Sequence, residues 1–317
     1  MARPRWEVRF ARAALCLLRC AILASFLDWQ IALVPMSTAR DAHANAPVGV
    51  FDSGVGGLTV LRALTAALPQ EDFLYLGDTA RLPYGTKSPE SIRRYALQAA
   101  ALLRDRGVKC LVVACNTASA VALDDLAAGF APVPVLGVVE PGAAAACAAT
   151  RSGRIAVVAT ESTVRGGAYQ AAIQRRRPGT VVVARACPLF VALAEEGWTD
   201  GPVVEAVIHR YLDDLFEGAA AVHPDTLVLG CTHFPVLAPA IRRALGDAVG
   251  IVDSAETTAA ALGGALDRAG LRRPAGGPAG SVRLLATDSA GRFARVGRTF
   301  LGRQLGAGCR RGGPHGK

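Results

Sequence analysis

The sequence predicts an α/β protein built from two similar doubly wound parallel-sheet domains that face each other across a cleft. Three observations predict this fold. From Pro47 onward, short runs rich in Val, Leu and Ile alternate with longer Ala- and Leu-rich segments that place Arg and Asp at helical spacing. The short runs are apolar throughout, which is typical of parallel strands buried on both faces. Finally, the same strand, turn and helix plan occurs in both halves of the chain.

The predicted elements follow one another in regular alternation. The predicted strands are Val48–Phe51, Phe73–Leu76, Cys110–Ala114, Val133–Val138, Arg154–Ala159, Val181–Arg185, Thr226–Leu229 and Gly250–Val252. The helices predicted between them include Leu58–Ala67, Pro89–Arg106, Ala118–Ala128, Arg165–Arg175, Pro202–Glu217, Pro235–Leu245 and Glu256–Ala269. Ligands of such sheets bind beyond the carboxyl ends of the strands, so functional residues are expected there.

Composition and length narrow the class of protein. The 317 residues favour two domains, because single cores rarely grow past about 250 to 300 residues. Apolar residues make up 51% and charged residues 19%, which excludes a disordered chain, a collagen and a coiled coil. The net charge of +9 comes mainly from the two ends of the chain, since the segment 48–302 has 25 basic and 23 acidic residues. No nucleic-acid partner is therefore expected.

The first 47 residues contain an apolar stretch, Ala13–Val34, that superficially resembles a secretory signal. Arg19, Asp28 and Gln30 interrupt this stretch, so a membrane span is not expected. Met36 precedes a polar segment that leads directly into the first strand. We expect Met36 to be the functional start and residues 1–35 to be dispensable, with a targeting peptide as the alternative.

Two cysteines occupy equivalent points of the two halves. The segments LVVACNT at 111–117 and LVLGCTH at 227–233 share an apolar strand, a small residue, a cysteine and two polar residues. The first strand and turn of each half also correspond, as VGVFDSGVGG at 48–57 and IAVVATEST at 155–163. If the halves face each other, Cys115 and Cys231 flank a ligand from opposite sides.

Each of these thiols follows a strand and is predicted to open a helix, where N–H groups and the helix dipole lower a thiol pKa. The alternative is that both cysteines only fill the core, as cysteine usually does. The eight cysteines form no C-x-x-C pair, so neither a metal site nor a disulfide framework is expected. Reduced thiols indicate a reducing compartment, the cytoplasm.

Polar neighbours of the thiols could bind a small carboxylate. Asn116–Thr117 and Thr232–His233 offer hydroxyl, amide and helix-terminal N–H donors. Asp52 and Ser53 precede a glycine turn that is neither a dinucleotide fingerprint nor a phosphate loop. Glu195 is either a solvated helix end or a carboxylate near the cleft, and these alternatives stay open.

The chain resembles the glutamate racemases, of the cofactor-independent aspartate/glutamate racemase superfamily. The resemblance covers 48–302 and rests on seven ordered motifs: FDSGVGGLTVL at 51–61, GDTARLPYGTKS at 77–88, ACNTAS at 114–119, VLGVVEPG at 135–142, CPLFVALAEEG at 187–197, LGCTHFPVL at 229–237 and RFARVGRTFLG at 292–302. It implies a first domain of 48–139 plus 254–302 and a second of 140–253, with 1–47 and the basic tail 303–317 outside the family fold.

The resemblance also implies roles for individual residues. The two catalytic bases fall on Cys115 and Cys231, with Cys115 acting on the D isomer and Cys231 on the L isomer. Helper groups fall on Asp52, His233 and Glu195, whereas Asp78 matches an acidic position without a clear direct role. The substrate contacts fall on Asp52, Ser53, Tyr84, Gly85, Asn116, Thr117, Thr232 and His233.

Inverting an α-carbon requires removal of a proton from one face and its return to the other, and paired thiols suit this task. No pyridoxal cofactor or metal is expected. By resemblance the product, D-glutamate, enters peptidoglycan, and a homodimer is one option for the assembly. The alternatives are an aspartate or other amino-acid racemase, a cysteine-dependent hydrolase with His233 as base, and a binding module with inert thiols.

Overall fold

The computed structural model describes residues 43–216, 223–302 and 310–311. The expectations for residues 1–35 and for Met36 lie outside this part of the chain, as does most of the tail 303–317. Within the described residues, no helix is long and apolar enough to cross a bilayer.

The first sheet has six parallel strands in the order β10-β9-β2-β1-β3-β4. They are β1 (Val48–Asp52), β2 (Phe73–Gly77), β3 (Cys110–Val113), β4 (Val135–Gly137), β9 (Val282–Ala286) and β10 (Arg310–Arg311). Phe51 of β1 pairs with Leu76 of β2 and Val113 of β3, so the three strands end at the same edge.

The second sheet has four parallel strands in the order β6-β5-β7-β8. They are β5 (Arg154–Ala159), β6 (Val181–Ala186), β7 (Thr226–Gly230) and β8 (Gly250–Asp253). Ala159 at the end of β5 pairs with both Ala186 of β6 and Gly230 of β7. Their carboxyl ends therefore also meet at one edge.

Helices separate consecutive strands, as the alternating pattern predicts. They are α1 (Leu58–Ala67), α2 (Pro89–Arg104), α3 (Asn116–Phe130), α4 (Val139–Ala149), α5 (Glu161–Gly166), α6 (Ala168–Arg176), α7 (Pro188–Glu196), α8 (Pro202–Phe216), α9 (Ala238–Leu245), α10 (Ser254–Ala269) and α11 (Ala290–Leu301). A 3₁₀ turn, Phe234–Leu237, precedes α9.

Helices cover both faces of each sheet, which is why the strands are apolar throughout. On the first sheet, Val48 and Val50 pack towards α1, α10 and α11, whereas Phe51 and Leu111 pack towards α2 and α3. On the second sheet, α7, α8 and α9 pack on one face, and α4 and α6 on the other. Four buried clusters of apolar side chains result.

The prediction of an α/β fold with two parallel sheets is confirmed. Several predicted elements need correction. The helix predicted at Arg165–Arg175 is divided into α5 and α6, because Gly167 has a left-handed backbone with φ of +64°. The helix predicted at Pro235–Leu245 starts at Ala238. The structure adds elements to those predicted, namely strands β9 and β10 and helices α4, α7 and α11. Both sheets belong to one compact unit, 42–317.

Candidate active site

A cavity of about 330 Å³ lies at the carboxyl ends of strands from both sheets. Strands β1 and β3 contribute the residues that follow them from the first sheet, and β5 and β7 contribute those from the second. Its lining residues are Ser53, Leu82, Pro83, Tyr84, Gly85, Thr86, Cys115, Asn116, Thr117, Thr160, Glu161, Pro188, Val191, Ala192, Glu195, Cys231, Thr232 and His233. The structure thus brings both predicted thiols to one cavity.

Cys115 follows β3 and is the N-cap residue of α3. Its thiol donates to Oγ of Ser53 at 3.3 Å and accepts the amide of Ala118 at 3.5 Å. Burial, followed by the charge of the nearby Asp52, raises the pKa of Cys115 to about 12 against the opposing contacts with Ser53 and Ala118. The amide of Ala118, at the N-terminus of α3, lowers this thiol pKa as expected, but burial outweighs that contact and the net pKa is raised.

Cys231 follows β7 and has different surroundings. A loop and the 3₁₀ turn follow it, so it does not open a helix as the sequence predicts. Its Sγ lies 3.8 Å from Nδ1 of His233, and Nε2 of His233 lies 3.2 Å from Oε1 of Glu195. The carboxylate of Glu195, at the end of α7, thus contacts the imidazole that contacts the thiol. Of the two alternatives for Glu195, the structure shows the one near the cleft.

His233 and Glu195 each shift the pKa of the other. Burial opposes a charged imidazole, but the contacts with Cys231 and Glu195 outweigh burial and raise the pKa of His233 to about 10. Burial likewise opposes a charged Glu195, but hydrogen bonds from His233 and Arg292 lower the pKa of Glu195 to about 2. Glu195 is therefore a carboxylate at neutral pH, and it favours a proton on His233.

Asp52 lies beneath the cavity wall and not on its surface. It is fully buried, its Oδ2 accepts the amide of Gly54 at 2.8 Å, and its Oδ1 has no hydrogen-bond partner among the described residues. Burial raises the pKa of Asp52, and attraction to His233 opposes that effect. Its neighbour Ser53 lines the cavity, so the two residues of this turn differ in their access to a ligand.

The predicted carboxylate cradle lies beside the thiols. Nδ2 of Asn116 donates to the hydroxyl of Tyr169 at 2.8 Å, whereas the buried Oδ1 of Asn116 has no partner within the described part of the chain. The hydroxyl of Thr117 lies 3.0 Å from that of Thr160 and 3.3 Å from that of Thr163. Thr232 is 4% exposed and lines the cavity on the Cys231 side.

The loop that follows β2 closes one side of the cavity. The hydroxyl of Tyr84 donates to Oδ2 of Asp78 at 2.5 Å. Asp78 is fully buried outside the cavity lining, and it also accepts from Arg81 and Thr287. Gly85 packs so tightly that an added Cβ would lie 2.7 Å from Cβ of Thr160.

Sequence reasoning missed part of the cavity wall. Thr160 and Glu161 follow β5 at the point that corresponds to Asp52 and Ser53, so the internal similarity held the signal that could have found them. The apolar wall from α7 gave no such signal; its members are Pro188, Val191 and Ala192. Within the described residues, no three His, Cys, Asp or Glu side chains are grouped so as to hold a metal ion.

Each of the two parallel sheets has a cysteine at the matched strand end, and both thiols line one cavity. The family model for Asp/Glu/hydantoin racemases matches residues 50–262. The chain belongs to this family, which makes it an enzyme of the racemase class.

Within that family the chain is similar to proteins named glutamate racemase. A relative from Geobacter metallireducens is 52% identical over 259 residues, which are 82% of this chain and 94% of that protein. A glutamate racemase structure from Francisella tularensis in complex with D-glutamate has 34% identity and a TM-score of 0.76, and the match covers 84% of this chain and 96% of that one. The structure of a glutamate racemase isoform from Bacillus anthracis has 35% identity and a TM-score of 0.79. That match covers 85% of this chain and 98% of the other.

Proposed function

We propose that the chain interconverts L- and D-glutamate by proton transfer at Cα, with Cys115 and Cys231 as the two bases. The observation that supports this most directly is the presence of both thiols in one cavity, each from a different sheet. Relatives named glutamate racemase, one of them with D-glutamate bound, support the choice of substrate.

The two bases exchange roles with the direction of reaction. One thiolate removes the Cα proton while the opposite thiol delivers a proton to the other face. By resemblance, Cys231 acts on the L isomer and Cys115 on the D isomer. The high pKa of free Cys115 makes it a proton donor at rest, and His233 beside Cys231 can take up or return a proton at that thiol.

Apart from His233, the described residues that line the cavity include no cationic side chain, so neutral donors must supply most of the stabilisation of the carbanion. Asn116 and Thr117, in the first turn of α3, and Thr232 present amide and hydroxyl groups to a substrate carboxylate. The α-ammonium group of the substrate would also favour thiolate in this buried cavity, since an adjacent cation lowers a thiol pKa. Enclosure of the substrate excludes water from the carbanion.

The proposal extends to the setting of the reaction. D-glutamate from this enzyme would enter peptidoglycan in the cytoplasm, an assignment that comes from the resemblance alone. The enzyme would need a small-molecule substrate only, with no nucleic-acid or membrane partner, and a homodimer is the proposed assembly. Division of the chain into domains 48–139 plus 254–302 and 140–253 remains a proposal; it is compatible with the two sheets except for β10, which lies beyond residue 302.

Incubation with L-glutamate in deuterated water tests the reaction. A two-base racemase forms D-glutamate that carries deuterium at Cα, while the remaining L-glutamate stays largely unlabelled early in the reaction. L-aspartate is the control substrate. Faster turnover of aspartate than of glutamate would show that the enzyme is specific for aspartate. Absence of racemisation, with release of products from glutamate derivatives, would instead indicate a thiol hydrolase, and saturable binding alone would indicate a binding module.

A further inference from the structure

Helix α11 reaches the Cys231 side of the active site at two points. Its first turn places Arg292 against Glu195, and its last turn places the ring of Phe300 against that of His233, with centroids 5.2 Å apart and planes at 79°. Most of the helix belongs to the motif RFARVGRTFLG at 292–302, to which the proposed mechanism assigns no task.

A continuous series of contacts connects Arg292 to the Cys231 thiol. Nη2 of Arg292 donates to Oε2 of Glu195 at 2.8 Å, while Oε1 of the same carboxylate contacts Nε2 of His233 at 3.2 Å. Nδ1 of His233 then lies 3.8 Å from Sγ of Cys231. Because each carboxylate oxygen faces a different partner, Arg292 and His233 together fix the orientation of Glu195.

We propose that Arg292 is a positioning residue that acts through Glu195 and His233 on the proton transfers of Cys231 and leaves those of Cys115 unaffected. This inference rests on the proposed racemase function. The carboxylate at Nε2 holds one imidazole proton there, so Nδ1 is the ring nitrogen that faces the thiol and exchanges a proton with it. Without the guanidinium, Glu195 can turn towards solvent, and His233 loses the partner that sets its proton position.

The effect is one-sided because the two thiols have different hydrogen-bond partners. Cys115 contacts Ser53 and the amide of Ala118, and neither residue belongs to the series that begins at Arg292. The side chain of Arg292 is 41% exposed, so its ion pair with Glu195 adds little to the stability of the fold. Loss of Arg292 should thus appear in catalysis and not in unfolding.

The values of kcat/KM alone cannot show that only one of the two thiols is affected. Enantiomers have equal free energies, so kcat/KM must fall equally in both directions. Isotope effects separate the two thiols. When the Cys231 steps slow, removal of deuterium from Cα of L-glutamate becomes more rate-limiting, and its isotope effect on kcat/KM rises. From D-glutamate, removal by Cys115 becomes less rate-limiting, and the isotope effect falls.

The test compares Arg292→Gln with Arg295→Gln, which changes an exposed arginine on the same helix. We expect Arg292→Gln to lower kcat/KM about tenfold, less than loss of a general acid or base would. Its isotope effects should diverge, upward for Cα-deuterated L-glutamate and downward for the D isomer. Arg292→Lys should recover part of the rate, and Arg295→Gln should match the wild type in every measurement.

A double variant checks that Arg292 acts through Glu195. In the Glu195→Gln background, Arg292→Gln should change kcat/KM less than twofold, because the partner through which it acts is already neutral. The inference would be overturned if the isotope effects of Arg292→Gln changed from the wild-type values equally in the two directions, or not at all. Additive losses of kcat/KM in the double variant would overturn it as well, while wild-type racemisation stands. A wild-type enzyme that does not racemise glutamate would instead refute the proposed function.

Discussion

Gly56, in the turn after β1, lies directly against His233 of the other half of the cavity. A Cβ added to Gly56 would be 2.5 Å from Nδ1 of His233 and 2.4 Å from Oγ1 of Thr232. Both distances are shorter than atoms can approach without displacement. The imidazole beside Cys231 therefore has its position only because residue 56 lacks a side chain.

We expect Gly56→Ala to disable catalysis more than folding. The methyl group must displace His233 or Thr232, and a shift of about 1 Å at reacting groups costs about 10²-fold in rate. Gly54→Ala is the matched control, because its Cβ would meet only Leu82, at ordinary distances of 3.6 Å from Cδ2 and 3.9 Å from Cβ. Steady-state kinetics and thermal melts of both variants check this, and a fully active Gly56→Ala enzyme would contradict the described contact.

Replacement of either active-site thiol should abolish racemisation in both directions. Serine is close to cysteine in size but a far weaker acid, so Cys115→Ser and Cys231→Ser should fold normally and lose about 10²–10⁴-fold or more in kcat. Cys147→Ser, at a half-buried cysteine outside the cavity, should retain activity. Polarimetry with each enantiomer provides the measurement. Near-normal turnover by either active-site variant would exclude the two-thiol mechanism.

Much of the fold could be predicted because parallel strands buried on both faces are apolar throughout. β1 and β5 match their predicted bounds to within one residue. β9 could not be predicted in this way, because its first residues, Val282 and Arg283, are only partly buried or exposed and give no apolar run. Its place in the sheet depends on pairing with β2, which is distant in sequence.

Much of the site was also predictable, since the carboxyl ends of parallel strands meet at one edge. The sequence indicates that Cys115 follows a strand and begins a helix, which gives the direction of the helix dipole. It does not indicate that the thiol is only 4% exposed or that Asp52 lies near it. Those two tertiary effects outweigh the amide of Ala118, so the net pKa of Cys115 is raised although the helix N-terminus lowers it as expected.

Asp52→Asn should lower the pKa of the Cys115 thiol. Burial is the larger cause of the present value of about 12, and the charge of Asp52 is the next. The variant removes only the charge, so the thiol pKa should fall towards its ordinary value of 9.0 without reaching it. The pH dependence of Cys115 alkylation, followed by mass spectrometry, measures this shift. Asp124→Asn, at an exposed position further along α3, should leave the profile unchanged.

The last prediction concerns Lys109 and Glu71, a buried ion pair at the amino ends of the strands, far from the thiols. Their side chains are 0% and 2% exposed, and Nζ of Lys109 also donates to the carbonyl of Ala44. Burial lowers the pKa of Lys109 more than the contact with Glu71 raises it, and removal of two charges from water is costly even when they are paired. Breaking the pair and replacing it should therefore have different consequences.

Lys109→Met leaves the Glu71 carboxylate buried without its main partner. We expect this change to lower the free energy of unfolding by about 3–5 kcal/mol. Replacement of both residues, Lys109→Met with Glu71→Leu, should recover most of that loss, because two apolar side chains carry no charge to desolvate. Arg272→Met, which breaks the exposed pair with Asp267, should cost no more than about 1 kcal/mol. Urea denaturation of the three variants gives the free energies, and kcat should remain near the wild-type value in all of them. A double variant less stable than Lys109→Met would show that this ion pair, despite its burial, stabilises the fold more than apolar packing does.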